Sequence, residues 1–314
     1  MREVNIMRKL HHLKAQSLIA AATVTLLATP VVTSITTAQA ASVTPSSALL
    51  KKSNSYYRSH ARALGKKYKL AFDAQSALKK NGKAVIYVNT KDKTLNQSVK
   101  LAMAYWNKKL GKTEFTQGSK KNHTLTFGVS TAAASKSDQS DAWWTPMTKK
   151  LDVRWSYYTA EKQNIGISMT NQLNKAFYKQ YADTIETKAK ANLAAKGITT
   201  SDKDYLSPFN REASNVETSL PAYTTLKKDV CLVKSTLANE GRKYEYASTI
   251  AHEMGHVMGL NHSPNKQDLM YFESGNNNVY SFKKVKAGLS KYNPITTTDK
   301  NRAKLALKIY VAAH

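Results

Sequence analysis

Cysteine is almost absent from this chain. The single one, Cys231, excludes an internal disulfide, and its place in an apolar, strand-like run points to a buried core thiol. Acidic residues are scarce as well. Against 48 Lys and Arg stand 21 Asp and Glu, a formal charge of +27. An excess of that size suggests a polyanionic neighbour, with a well-solvated lysine surface as the plain alternative. No compact arginine–aromatic motif accompanies it, which argues against DNA or RNA as that neighbour. No EF-hand-like spacing occurs, so calcium, though open through scattered carboxylates and carbonyls, has no support. After residue 40 no segment is long and apolar enough to span a bilayer.

The exception to that last absence is the N-terminus. The basic start MREVNIMRKLHHLK precedes an apolar, uncharged stretch from Ser17 to Ile35, and Ala38-Gln39-Ala40 offers a small-residue cleavage site. Residues 1–40 are expected to be a removed signal peptide, against the alternative of a lone anchor, because the run is weakly apolar and broken by Pro30. Four basic residues and one acid leave with it, so +27 falls to +24. The product is expected to be secreted across a single bacterial membrane. Anionic cell-wall polymers or acidic host glycans then become better partners than nucleic acid. Residues 41–82, containing KKSNSYYRSHARALGKKYKL, read as a basic linker, a propeptide-like segment or a wall-contacting arm.

One run is far more specific than the rest: AHEMGHVMGLNH. As a helix it places His252 and His256 one turn apart on one face, where two imidazoles can reach one tetrahedral metal. Glu253 lies about 100° round the helix, near enough to hold a water without being a ligand. Gly259 can take a positive φ, end the helix and bring His262 back as a third ligand. Three protein ligands leave a fourth position open, the mark of a catalytic rather than a structural zinc. The plain alternative is an amphipathic core helix. Ala247, Ile250, Met254 and Val257 do make an apolar face, but that face leaves the polar side unexplained.

HEMGHVMGLNH resembles the zinc signature HExxHxxGxxH of the metzincin metalloproteases. Met270, eight residues after His262, stands where metzincins carry a methionine turn beneath the zinc. Ser263 directly after the third histidine and the triplet Leu269-Met270-Tyr271 are similar to the matrixin branch. The resemblance implies an α+β fold, with a twisted mixed β-sheet, an active-site helix and a C-terminal helix. It implies Zn²⁺ held by His252, His256 and His262, and Glu253 as general base for a zinc-activated water. Met270 would be an apolar floor and not a ligand. Phe272 occupies the position of a tyrosine used by some metzincins and of a proline in animal matrixins, so neither role is carried over. The cysteine that silences matrixin propeptides has no counterpart before residue 83, and outside residues 1–40 and the three ligands the histidines are His60, His123 and His314. A second, histidine-rich zinc site is therefore not expected.

The remainder supplies expected elements. A strand is read at Ala84–Val88, then a helix capped by Thr94, with Leu95, Val99, Ala102, Met103, Trp106 and Leu110 at helical spacing and Gly111 as its stop. Further strands are read at 123–129, 151–158 and 164–169. A helix follows over 172–196, then a polar loop to about 227, so that 172–227 is an insertion in a catalytic domain spanning 83–314. A strand at 230–233, a zinc helix from about Lys243 and a last helix capped by Thr298 complete the chain. Trp143-Trp144 is assigned to core or loop packing. The functional expectation is a secreted zinc metalloendopeptidase acting on proteins or peptides. Its competitors are a basic surface-binding protein on a non-catalytic metzincin scaffold and a hydrolase of peptidoglycan cross-link peptides.

Overall fold

The computed structural model describes residues 43–314, so the leader expected at residues 1–40 lies outside the described residues. The chain forms two compact units, one of Gly166–Leu237 and one in which the chain up to Ile165 joins Ala238–His314.

The larger unit is built on helix α1 (Asn54–Tyr68), strand β1 (Ala84–Val88), helix α2 (Lys93–Leu110) and strands β2 (Phe115–Gln117), β3 (Leu125–Ser130), β4 (Ala142–Thr145) and β5 (Lys150–Arg154). The strand order is β2-β1-β3-β5-β4, parallel throughout except for the β4–β5 hairpin. The sheet is thus mixed, as expected, with β4 as its antiparallel edge. Parallel neighbours need a crossover, and α2 supplies the one between β1 and β2. Leu95, Val99, Ala102, Met103, Trp106 and Leu110 are all buried, because their spacing puts them on one helical stripe. The cap of α2 is Asp92 and not Thr94: its carboxylate accepts the Leu95 N–H at 2.7 Å and the Tyr158 hydroxyl at 2.7 Å. Gly111 ends the helix at φ 72°.

After β5 the chain enters α3 (Trp155–Ala194), a 40-residue helix that begins in the larger unit and ends in the smaller. The strand expected at 164–169 lies inside it, and the one expected at 151–158 stops at Arg154. Tyr158, Ile165 and Met169 are buried at helical spacing, a pattern that the local β-branched residues disguised. The polar loop expected to about 227 is instead helix α4 (Leu206–Ser219) followed by α5 (Pro221–Leu232). Phe209, Ala213 and Val216 form a narrow apolar stripe there, packed with Phe177, Ile185, Ala189 and Leu193 of α3. The strand expected at 230–233 is the end of α5 and the start of a π-turn (Val233–Leu237), and Cys231 is exposed rather than a core thiol.

Helix α6 (Ala238–Val257) returns to the larger unit, starting five residues before the expected Lys243. A short α7 (Phe282–Ala287) and the C-terminal α8 (Thr297–Ala313) follow. The cap of α8 is Thr296, not Thr298, and forms a full capping box with Asp299. The 41–82 stretch is not a featureless tether within its described part: Tyr57, Leu64 and Tyr68 of α1 share a core with Leu305, Ile309 and Ala312 of α8. Among the described residues no helix is long and apolar enough to cross a membrane.

Candidate metal centre

Helix α6 is anchored before it presents any ligand. The Trp106 indole N–H donates to the Ala251 carbonyl at 2.7 Å, and the Ser98 hydroxyl to that of Lys243 at 2.9 Å, fixing α6 against α2. The helix then ends in a paired closure. The Leu260 N–H bonds the Gly255 carbonyl at 3.0 Å and the Gly259 N–H that of His256 at 2.8 Å, with Gly259 at φ 87°. That left-handed residue turns the chain back and brings His262 to the two helical histidines.

The three rings stand 4.9, 5.3 and 5.0 Å apart between centroids, and each offers a nitrogen within 4.8 Å of the others. Among the described residues this is the group of His, Cys, Asp and Glu side chains placed to share an ion. His252 Nδ1 lies 2.6 Å from the Leu269 carbonyl and His256 Nδ1 2.7 Å from that of Leu260. A carbonyl only accepts, so both Nδ1 atoms carry hydrogen and both Nε2 lone pairs are left for a metal. Burial, aided by the neighbouring imidazole, lowers the pKa of His252 to about 3, and burial lowers that of His256 to about 4. His262, the exposed member, is shifted the same way by burial. Three neutral imidazoles with free nitrogens fit a zinc ion in both charge and donor type.

Glu253 is 8% exposed. Burial raises its carboxyl to about 8, opposed by a hydrogen bond from the Trp144 backbone in β4. Met270, expected from the sequence as the apolar floor, is fully buried against Gly255 of α6. A Cβ added at Gly255 would collide with the Met270 sulphur, so glycine lets α6 and Met270 approach without the thioether shifting. The floor is itself tied down. Asp299, in the first turn of α8, accepts the Leu269 N–H at 2.8 Å and the Met270 N–H at 3.3 Å, while the Met270 carbonyl accepts the Ser263 N–H at 2.7 Å.

The three histidines singled out from the sequence, His252, His256 and His262, thus lie together, and Glu253 follows the first of them on α6. Phe272 is 60% exposed, its ring 6.5 Å from that of His262. Trp143 and Trp144 are half-buried in β4, and the Trp144 indole N–H reaches the Ala74 carbonyl at 2.9 Å. Sequence reasoning missed the Trp144 backbone contact, which carries no side-chain signature. It also missed Asp299, which the capping-box spacing from Thr296 could have revealed.

A family model described as Matrixin matches residues 79–287, about two thirds of the 314-residue chain. No curated protein and no solved structure matches it.

Proposed function

The chain belongs to the matrixin family, and from that premise we propose that it is a secreted zinc-dependent endopeptidase hydrolysing peptide bonds in protein or peptide substrates. The observation that carries this reading is the pair of backbone carbonyls that hold His252 and His256 with Nε2 free, alongside His262. A zinc ion held by His252, His256 and His262 would supply Lewis acidity, lowering the pKa of a water and polarising a substrate carbonyl. Glu253 takes the proton of the attacking water and passes it to the leaving amine. Its buried setting favours the protonated form it must reach midway through the cycle, and a bound dication would favour the anion with which it must begin. We assign β4, the antiparallel edge strand packed beside α6, to pairing with the extended substrate backbone. The lysine excess supports a partner role for an anionic cell-wall polymer.

The test is cleavage of a quenched peptide library by the mature protein beside Glu253→Ala, with zinc measured on both. About one zinc in each is expected, with activity lost in the variant by at least about a hundredfold. Zinc in both with no peptide cut by either would overturn the peptidase reading. Zinc in neither would overturn the metal site.

A further inference from the structure

His262 is the ligand least supported by its own neighbourhood. It is exposed, it lies beyond the end of α6, and its loop has left the hydrogen-bonding of that helix. Yet the loop is held on one side by a segment far away in sequence. The Asn261 N–H donates to the Lys69 carbonyl at 2.9 Å and the Ala71 N–H to the Gly259 carbonyl at 2.9 Å, with Leu70 and Leu260 paired between them. This two-rung antiparallel ladder runs directly up to His262.

A single guanidinium locks both rails of it. Arg302 of α8, fully buried, donates from Nε to the Tyr68 carbonyl at 2.9 Å, and from Nη2 to the carbonyls of Lys69 at 2.7 Å and Asn261 at 2.8 Å. The fork geometry of arginine is what lets one side chain reach three carbonyls on two segments; lysine could not. A second clamp acts just before the turn, where Gln75 Nε2 donates to the Met258 carbonyl at 2.8 Å. At Gly259 an added Cβ would come within 2.8 Å of the Gln75 side chain, so the fit is close. Lys69 itself adopts a left-handed conformation, φ 52° and ψ 60°, rare for a residue with a side chain, and its carbonyl takes both the Asn261 and the Arg302 bonds. Both halves of this device, 69–75 and Arg302, lie outside the span matched by the family, 79–287.

Resting on the zinc reading above, we propose that Arg302 and the Lys69–Ala71 ladder are positioning elements for His262, so that the segment from Asn54 to Gln75 is a lasting part of the active protein and not a piece shed on activation. A propeptide masks a finished site and can leave it intact. This segment instead completes the site, since removing it leaves the third-ligand loop without its rails and Arg302 with carbonyl partners missing. The same helix grips the centre twice, by Asp299 on the methionine floor and by Arg302 on the His262 loop, three residues apart.

The experiment measures zinc affinity by chelator competition on the full chain, for the parent, Arg302→Gln, Arg302→Lys and Leu307→Ala. Leu307 is buried in the same helix and serves as a control for loss of stability alone. Both arginine variants are expected to bind zinc about 10- to 100-fold more weakly than the parent, the usual cost of removing a group that orients a metal ligand. The Asn261 amide should exchange faster in both before metal is added. Leu307→Ala should lower Tm and leave zinc affinity unchanged. If Arg302→Gln does not fold, the lysine variant, which keeps charge and stem, carries the comparison. Parent-like affinity in a folded arginine variant would overturn the proposal, as would an equal loss in Leu307→Ala at matched Tm. A parent that binds no zinc, or binds it unchanged after His256→Ala, would instead sink the metal reading itself. The intact mass of the active species gives a second check: an N-terminus before Asn54 is expected, and one after Gln75 would refute the claim.

Discussion

Glu245 shows how a single residue can work against the fold that holds it. It lies on α6 two turns before His252, and burial raises its carboxyl to about 7. The Asn276 N–H, 3.0 Å away, opposes that shift, while the negative charges of Glu161 and Asp141 add to it. Because the folded value lies above the unfolded one, the group favours the fold fully below about pH 4.5, and that contribution is lost as the pH rises through about 7. His252 and His256 run the other way: their values are lowered, so their contribution in the metal-free chain is present above about 6.5 and lost as the pH falls towards about 3. The two trends overlap, so the parent's pH curve alone separates nothing. A difference measurement does. Glu245→Gln keeps an acceptor for the Asn276 N–H and removes the ionisation. Its Tm should match the parent's near pH 4 and exceed it by a few degrees at pH 8. An equal Tm difference at both pH values would show that ionisation of this carboxyl costs the fold nothing.

At the scale of elements, legibility followed the strength of the local pattern. Helix α2 was readable because six apolar residues, five of them large, recur on one stripe and a glycine ends it. His252 and His256 on α6 were readable because their four-residue spacing suits a shared metal and is not a packing pattern. The helices between them were not. In α4 and α5 the apolar stripe is narrow and diluted by Asn, Glu, Lys and Thr, and 164–169 carries β-branched residues that suit either structure. The ladder at 69–71 was invisible for another reason: it is made of backbone groups, which every sequence possesses. Two positions there adopt an uncommon conformation, Lys69 on one rail and Gly259 on the other, at opposite ends of the ladder. Lys69→Gly should relieve a left-handed strain of roughly 1 kcal/mol while keeping both carbonyl bonds, so stability stays level or rises. Gly259→Ala puts a Cβ into a positive φ and against Gln75, and should cost about 1–3 kcal/mol and weaken zinc binding. Denaturant unfolding of both variants checks the pair. A stabilised Gly259→Ala, or a Lys69→Gly as damaged as it, would contradict the geometry.

Charge is a property of the whole molecule, yet it is distributed very unevenly. Residues 166–237 hold ten Lys and Arg against seven Asp and Glu, a net of +3, whereas the other described residues hold 34 against 13, a net of +21. A lysine excess serving general solubility would have no reason to avoid the helical unit. One concentration of it lies along α8, where Lys300, Lys304 and Lys308 follow one another at single-turn spacing. Burial, and then the ammonium groups of Lys300, Lys112 and Lys308, hold the pKa of Lys304 below its ordinary value, although Lys112 is itself paired with Glu114. If an anionic polymer is the partner, the unit that carries the metal centre is the one that binds it, and α8 is part of the contact. Binding to such a polymer should then be strong near 0.1 M salt and largely gone near 1 M, as the Debye length falls from about 10 to about 3 Å. Replacing Lys300, Lys304 and Lys308 together by glutamine should shift elution from a polyanion matrix to lower salt while leaving peptide cleavage unchanged. The matched control replaces three lysines of the helical unit, Lys175, Lys188 and Lys203, and should shift it less. Equal shifts from both triple variants would mean that the matrix reads net charge alone, and the assignment of α8 as a docking face would fall.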